Sequence, residues 1–491
     1  MMAHLPALLI VVPLLSAPIC LLIGRGRFAH GVALVVSWVT FVMSALLLNE
    51  VRNGGAISYH LGGWAPPWGI EYRVDPVNAY VLLIVAAVGA LTMSYAKASI
   101  DRELGQGRQF RFYTIFLLCL AGLLGVTITG DAFNIFVFFE ISSLASYVMI
   151  SLGPDRRALT AAFNYLIFGT IGATFFLIGV GLLYQMTGTL NIADLANRVP
   201  AMTGNRTIQA AFIFMAVGLA LKAAIFPLHS WLPNAYAFAP SVVTAFLAAT
   251  ATKVAIYVLI RSYFTIFGPE YSFGSMSLGV VLMVPAIAAM LIGSTIAIFQ
   301  DDIKRMLAYS SVAQIGYMVL GIGFATVLGV TGGMLHLFNH ALIKTAMFMA
   351  MGCVFYRMGS VRIEAMAGLA KRMPWTMAAF VGGGLSLIGV PLTAGFVSKW
   401  YLLLAALDAG MWWIAAFILI ASMLAIVYVW RVVEVAYFSP SPDGAPTGEA
   451  PISMLIPTWF LVLANFYFGI DTRISVGAAT QAAEYLLGAG R

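Results

Sequence analysis

Seven ionisable side chains lie where charge is costly. Glu140 stands in Phe138-Phe139-Glu140-Ile141. Lys222, Lys253, Lys344 and Lys399 each lie inside an apolar run, and His336 and His340 share the run of Lys344. A charge at a bilayer centre costs about 2.5–3.5 kcal/mol on insertion scales, so the carboxylate and four lysines would cost on the order of 15 kcal/mol together. They must face protein, water or one another. His336, His340 and Lys344 recur at i, i+4 and i+8, one stripe of one helix. Such a stripe is either polar glue between helices or a ladder of titratable groups about 6 Å apart, each step bridgeable by water. Histidine suits a ladder because its ordinary pKa is near neutrality. Lysine joins when desolvation makes its ammonium a better acid. A lone intramembrane lysine can also snorkel, and Glu140 can be half of a structural ion pair. Together the five point to proton transfer.

Two runs that carry these lysines are interrupted. One reads Leu221-Lys222-Ala223-Ala224-Ile225-Phe226-Pro227-Leu228-His229, the other Gly389-Val390-Pro391-Leu392-Thr393 and on to Lys399. Proline removes a donor and clashes with the preceding turn, so each helix is expected to break at Pro227 or Pro391. Lys222 is expected to lie away from its helix end. Unwound backbone at membrane depth is tolerated only within protein or beside water.

The elements that position these groups follow from composition. The 491 residues are 62% apolar and 9% charged, against about 25% charged in a soluble domain. A soluble fold, a disordered chain and a secreted disulfide scaffold are excluded. A span needs about 20 apolar residues. Roughly fourteen such stretches lie near 4–24, 28–49, 75–97, 110–129, 131–152, 159–186, 208–238, 240–265, 274–299, 303–324, 330–356, 374–407, 411–437 and 453–470. The first lacks a basic start and a cleavage site and is expected to be retained as a helix.

Alternating the loops places fifteen of the 26 Lys and Arg on one side and seven on the other. The first group includes Arg25, Arg156, Lys304 and Arg431; the second includes Arg73, Arg198, Arg261 and Arg491. Cytoplasmic loops are the basic ones, so both termini are expected outside. The net charge of +7 is mostly this bias. It asks for anionic lipid rather than nucleic acid. Glu434 is expected to pair with Arg431.

The broken runs are the seventh and twelfth spans. An offset of five inverts orientation, so spans four to eight and nine to thirteen read as two inverted halves, a common transporter plan. The expected organisation is 1–108 (three helices and an outer loop over 50–74), 109–266, 267–437, and 438–491 (linker, last helix, short tail). No phosphate loop, redox-cofactor motif or metal-ligand spacing is found, so no cofactor and no metal is expected. Cys20, Cys119 and Cys353 read as small core hydrophobes. Gly382-Gly383-Gly384 reads as close helix packing.

With these residues assembled, the sequence resembles the antiporter-like family shared by Mrp-type multisubunit cation/proton antiporters and the membrane arm of respiratory complex I. The matching segments run from Phe133 to Glu140, Lys222 to His229, Thr252 to Val254, Asp302 to Ser311, His336 to Lys344, and Gly395 to Lys399. The resemblance implies an all-α membrane protein of fourteen spans with inverted five-helix halves. It also implies proton transfer by Glu140, Lys222, Lys253, His336, His340, Lys344 and Lys399, with His229, Lys304 and Tyr309 as secondary candidates. Lysine rather than glutamate at 399 speaks against the M-type complex I subunit. The length is that expected of a shorter member than the L-type subunit or the Mrp A subunit. The D-type component of a Na⁺/proton antiporter fits best, with A, B, C, E, F and G types as partners. The N-type complex I subunit or a membrane hydrogenase subunit is the alternative; a stand-alone solute carrier is less favoured.

Overall fold

A computed structural model describes residues 4–105, 107–442, 444 and 446–488. Arg491, counted above among the outer cations, lies outside them. Among the described residues, twelve helices are long and apolar enough to cross a membrane. In the N-terminal part these are α1 (Leu5–Ile23), α2 (Gly26–Gly54), α3 (Pro76–Glu103), α4 (Gln109–Ile128), α5 (Ala132–Ser151) and α6 (Arg157–Thr187). A short α7 (Ile192–Arg198) follows. The expected seventh span is two pieces, α8 (Arg206–Lys222) and α9 (Leu232–Phe238). Next come α10 (Ser241–Ile260, prolonged as a wider π turn to Ile266), α11 (Leu278–Ile298), α12 (Ile303–Gly323) and α13 (Val327–Met358). After a one-turn α14 (Leu369–Arg372), the expected twelfth span is again two pieces, α15 (Pro374–Ile388) and α16 (Ala394–Asp408). The chain ends with α17 (Trp412–Phe438), α18 (Ile452–Ile470) and α19 (Arg473–Leu487).

Polar residues at the loops start these helices. Asp75, Asp131, Asp302 and Thr326 accept backbone N–H bonds in the first turns of α3, α5, α12 and α13. Each satisfies donors that a helix start leaves free. Helices α10, α12 and α13 are almost wholly buried, whereas α1 and α2 bury only about a third of their residues. Four of the seven row residues, Lys253, His336, His340 and Lys344, lie on α10 and α13. Close packing at the three glycines is borne out: a Cβ on Gly382, Gly383 or Gly384 would meet Val462, Met347 or Val429 within 2.8 Å.

Several expectations change. The stretch 50–74, expected as an outer loop, contains a hairpin of β1 (Ile57–His60) and β2 (Glu71–Val74). The expected short tail is α19, an amphipathic helix packed on α3 and α13. The linker is pinned: the Glu449 carboxylate accepts bonds from Trp375 N and Thr376 Oγ1, each at 2.6 Å, and caps α15. Arg431 turns away from Glu434 and donates to the Ile298 and Gln300 carbonyls and to Asp301. Carbonyls freed at the end of α11 draw the guanidinium more strongly than a side chain on its own helix.

Arg261, read as an outer-loop cation, is buried and paired with Asp75. Its Nε also donates to the Tyr257 hydroxyl at 3.1 Å. Arg261 opens the π turn that ends this helix, inside the expected stretch 240–265, and its guanidinium stays within the bundle. Asp75 caps α3 at the same time, so one carboxylate ties α3 to α10. Breaking a buried pair leaves an uncompensated charge and costs about 3–5 kcal/mol. Arg261→Met should lower unfolding stability in detergent by about that much, and Asp75→Asn in the same chain should add much less than its effect alone. Thermal unfolding of the two single variants and the double variant checks this.

Candidate functional site: a buried row of carboxylate, lysines and histidines

The helix breaks begin earlier than the prolines. A proline ring excludes the carbonyl four residues before it, which is Ala223 for Pro227 and Leu387 for Pro391. Accordingly α8 stops at Lys222 and α15 at Ile388. Lys222 is thus a helix-terminal residue, contrary to expectation. It lies at the negative end of α8, where a cation is favoured. Ala224 and Leu392 take positive φ in the two breaks. The Trp231 indole closes the first break by donating to the Leu221 carbonyl at 3.0 Å.

Lys222 is buried, and its Nζ stands 3.4 Å from Glu140 Oε1 and 2.7 Å from Ser143 Oγ. The Phe139 ring lies 5.2 Å from the ammonium. Glu140 is not sealed: a quarter of its side chain is exposed. The expected pair is therefore present, with its carboxylate at the rim of the bundle.

Lys253 is wholly buried and donates to the Ala248 carbonyl and to Thr252 Oγ1. It lies within electrostatic reach of His336, His340 and Lys344. The two imidazoles stack with centroids 6.2 Å apart. Lys344 donates to the Leu307 carbonyl at 2.8 Å and to Ser310 Oγ. None of these heads reaches lipid, so snorkelling is excluded for them.

His336 is built to hold either charge state. Its Nε2 lies 2.9 Å from Gln314 Oε1 and its Nδ1 2.9 Å from Ser398 Oγ. Ser398 Oγ can also donate to the Gly395 carbonyl at 3.2 Å. With a neutral ring, the serine proton points at Nδ1. With a cationic ring, Nδ1–H donates to Ser398 Oγ and the serine turns to Gly395. Both ring nitrogens of His340, in contrast, are buried without a hydrogen-bond partner among the described residues.

Lys399 closes the row. Its Nζ donates to the carbonyls of Leu387 (3.0 Å) and Ile388 (2.8 Å) and to Ser422 Oγ (3.0 Å). The second break thus feeds the carbonyls of the end of α15 to a lysine on α16.

The secondary candidates lie apart. Lys304 is buried and donates to the Ala239 carbonyl at 2.7 Å. It lines a cavity of about 430 Å³ with Glu103, Arg157, Asp302 and Arg362. His229 stacks on Phe226 with centroids 5.2 Å apart, its Nδ1 unpartnered among the described residues. Tyr309 packs half-buried against the apolar core. Pro227 and Pro391 are exposed. A second cavity of about 470 Å³, lined by Asp75, Tyr257 and Arg261, opens on the opposite face. None of the seven row residues lines either cavity.

Sequence reasoning missed Ser143, Ser310, Gln314, Ser398 and Ser422, which hold the heads of the row. Ser398 was legible beside Lys399, and Gln314 stood as an amide within an apolar span.

The apolar helical bundle has counterparts among known proteins. The family described as NADH:quinone oxidoreductase/Mrp antiporter, TM, matches residues 129–425, which contain every row residue. The chain belongs to that family. It is 43% identical to the N-type subunit of NADH-quinone oxidoreductase from Desulforudis audaxviator, over 96% of each chain. It is 29% identical to the D-type component of the Na(+)/H(+) antiporter from Alkalihalophilus pseudofirmus, over 99% of this chain and 98% of that one. Its fold matches a chain of the Mrp complex from a Dietzia species with TM-score 0.91 and 28% identity, over 99% of this chain and 97% of that one. An all-α integral membrane fold and membership of the antiporter family are thereby established.

Gly389 tests the Lys399 end of the row. It has φ +91°, and an added Cβ would lie 2.9 Å from Lys399 Cδ. Gly389→Ala is expected to displace the ammonium from the α15 carbonyls and to lower proton flux at least tenfold with assembly intact. Flux into vesicles holding the assembled complex measures this.

Proposed function

We propose that this chain carries protons laterally through the middle of a bacterial cell membrane, as the D-type component of a multisubunit cation/proton antiporter. The observation that carries this reading is the Glu140–Lys222 pair, 3.4 Å apart at a helix break, leading to a row of buried lysines and histidines. While Lys222 is charged, Glu140 stays ionised beside it. When the Lys222 proton passes on toward Lys253, the carboxylate loses its counter-ion and takes up a proton. His340 and His336 then hand charge between Lys253, Lys344 and Lys399. One charge crossing 100 mV exchanges about 2.3 kcal/mol. Partner subunits couple that exchange to Na⁺ movement, and the chain itself is a transporter subunit rather than a catalyst. Both termini face outside the cytoplasm.

The two halves, 109–266 and 267–437, are inverted copies in this reading. One local motif supports it. Asp131 caps α5 and bridges to Asn191, just beyond α6; Asp302 caps α12 and bridges to Arg362, just beyond α13. Each is the second helix of its half, and the two bridges sit at opposite ends of α3. The flanking parts are 1–108 and 438–491.

A second reading is the N-type subunit of an NADH-quinone oxidoreductase. The 43% identity to such a protein favours it, against 29% to a D-type one. Lys399 separates both from the M type but not from each other. The row serves either assembly.

Glu140→Ala and Lys222→Ala should each cut proton flux by the assembled complex to below about a tenth while assembly survives. Near-normal flux and sodium-resistant growth in a well-expressed Glu140→Ala strain would sink the proton row. Mass spectrometry of the native complex separates the assemblies: small antiporter subunits mark the D type, and iron–sulfur or flavin chains the N type.

A further inference from the structure

Among the described residues, no hydrogen bond joins Lys222 to Lys253. Lys222 Nζ is bound to Glu140 and Ser143, and Lys253 Nζ to Ala248 and Thr252. Hydrocarbon does not conduct protons; hydroxyls and water do, each oxygen accepting one proton and releasing another. Three buried tyrosines cluster near the partners of these two heads: Tyr147 on α5, Tyr165 on α6 and Tyr236 on α9.

Each has a neighbour in the series. Ser143 Oγ receives the Lys222 bond, and the Tyr147 hydroxyl, one turn on, approaches that serine. The Tyr147 and Tyr165 rings meet edge to face at 4.7 Å. Tyr165 lies within electrostatic reach of Glu140, Tyr147 and Tyr236. The Tyr236 hydroxyl, 3.2 Å from the Leu247 carbonyl, approaches Thr252, whose Oγ1 is 3.4 Å from Lys253 Nζ.

Two details distinguish this from polar glue. The Tyr147 hydroxyl is buried and has no well-formed hydrogen bond among the described residues, whereas a glue hydroxyl is satisfied. It also sits in a built space: a Cβ on Gly169 would lie 1.9 Å from that oxygen. Tyr165 is held flat against Trp231 at 4.0 Å, and Trp231 is tied to the break through Leu221. The stack therefore links the hydroxyl series to the unwound segment beside Lys222.

We propose that Tyr147, Tyr165 and Tyr236, with Ser143 and Thr252, form the hydroxyl relay that passes protons between Lys222 and Lys253. This rests on the proton-row reading above. In each transfer the Lys222 ammonium loses one N–H, the neutral Lys253 amine gains one, and every intervening hydroxyl exchanges one O–H for another. No electron moves and no net charge stays on the tyrosines.

The test uses the intact complex in vesicles, with Lys222→Ala run beside the relay variants. Tyr147→Phe, Tyr165→Phe and Tyr236→Phe keep the rings and remove the hydroxyls; each should lower proton flux roughly tenfold with normal assembly. Gly169→Ala should act like Tyr147→Phe, and the two together should be no worse than either alone. Replacing Tyr236 by 3-fluorotyrosine, which changes acidity and not packing, should shift the pH profile of the flux. If Lys222→Ala abolishes flux but the phenylalanine and fluorotyrosine variants match wild type, the relay is overturned and the row stands. If Lys222→Ala leaves flux intact, both fall.

Discussion

A charge in hydrocarbon must find an oxygen, and the architecture of this chain follows from that requirement. A regular helix uses its carbonyls internally, so it has none to offer an ammonium group. Breaking a helix releases them. At the second break the Leu387 and Ile388 carbonyls take Lys399; at the first, Lys222 occupies the helix end and meets Glu140 and Ser143. Where no break is available, as at Lys253 and Lys344, the ammonium reaches a helix carbonyl and a neighbouring hydroxyl instead. Each partner lowers the cost of the charged form. None is so strong that it fixes the proton permanently, as a sealed carboxylate would. Glu140, the one carboxylate of the row, is partly exposed and its contact with Lys222 is long for an ion pair.

The rest of the fold protects that arrangement. The row lies on α5, α10, α13 and the broken helices α8 and α16, while α1 and α2 bury only about a third of their residues. The two cavities open at opposite faces and stop short of the row. The second buried ion pair, Asp75 with Arg261, contrasts with the row in chemistry. Its carboxylate also caps a helix and its guanidinium also bonds a tyrosine, so both charges are held on several sides. Arginine does not give up its proton in proteins. That pair therefore fastens two helices, whereas the lysines, which can release protons, are left with lighter partners.

Much of this was legible from residue types. The cost of intramembrane charge singled out Glu140 and the four lysines, and helical periodicity put His336, His340 and Lys344 on one face. Proline chemistry located both breaks to within a turn. Their start, a few residues before Pro227 and Pro391, was not anticipated, because the clash falls on the carbonyl four positions back. Arg261, inside the stretch 240–265, was misplaced as a loop cation because its partner Asp75 comes from 186 residues away. Arg431 was paired with the wrong acid because its partners, carbonyls at the end of α11, come from 130 or so residues away.

Composition and spacing by themselves determined that the chain crosses a membrane many times and carries a set of titratable groups it cannot leave in lipid. Those are local quantities: hydropathy, helical period and the geometry of proline all depend on a few adjacent residues. Only the tertiary structure decided which oxygen each head meets, that Ser398 can serve His336 in either charge state, and that tyrosines from α5 and α6 meet edge to face one turn from the serine that binds Lys222. A hydroxyl or a carbonyl is nearly silent in a one-dimensional pattern, since serine, threonine and tyrosine occur throughout apolar helices. It acquires a role when packing brings it within about 3 Å of a charge from a distant segment.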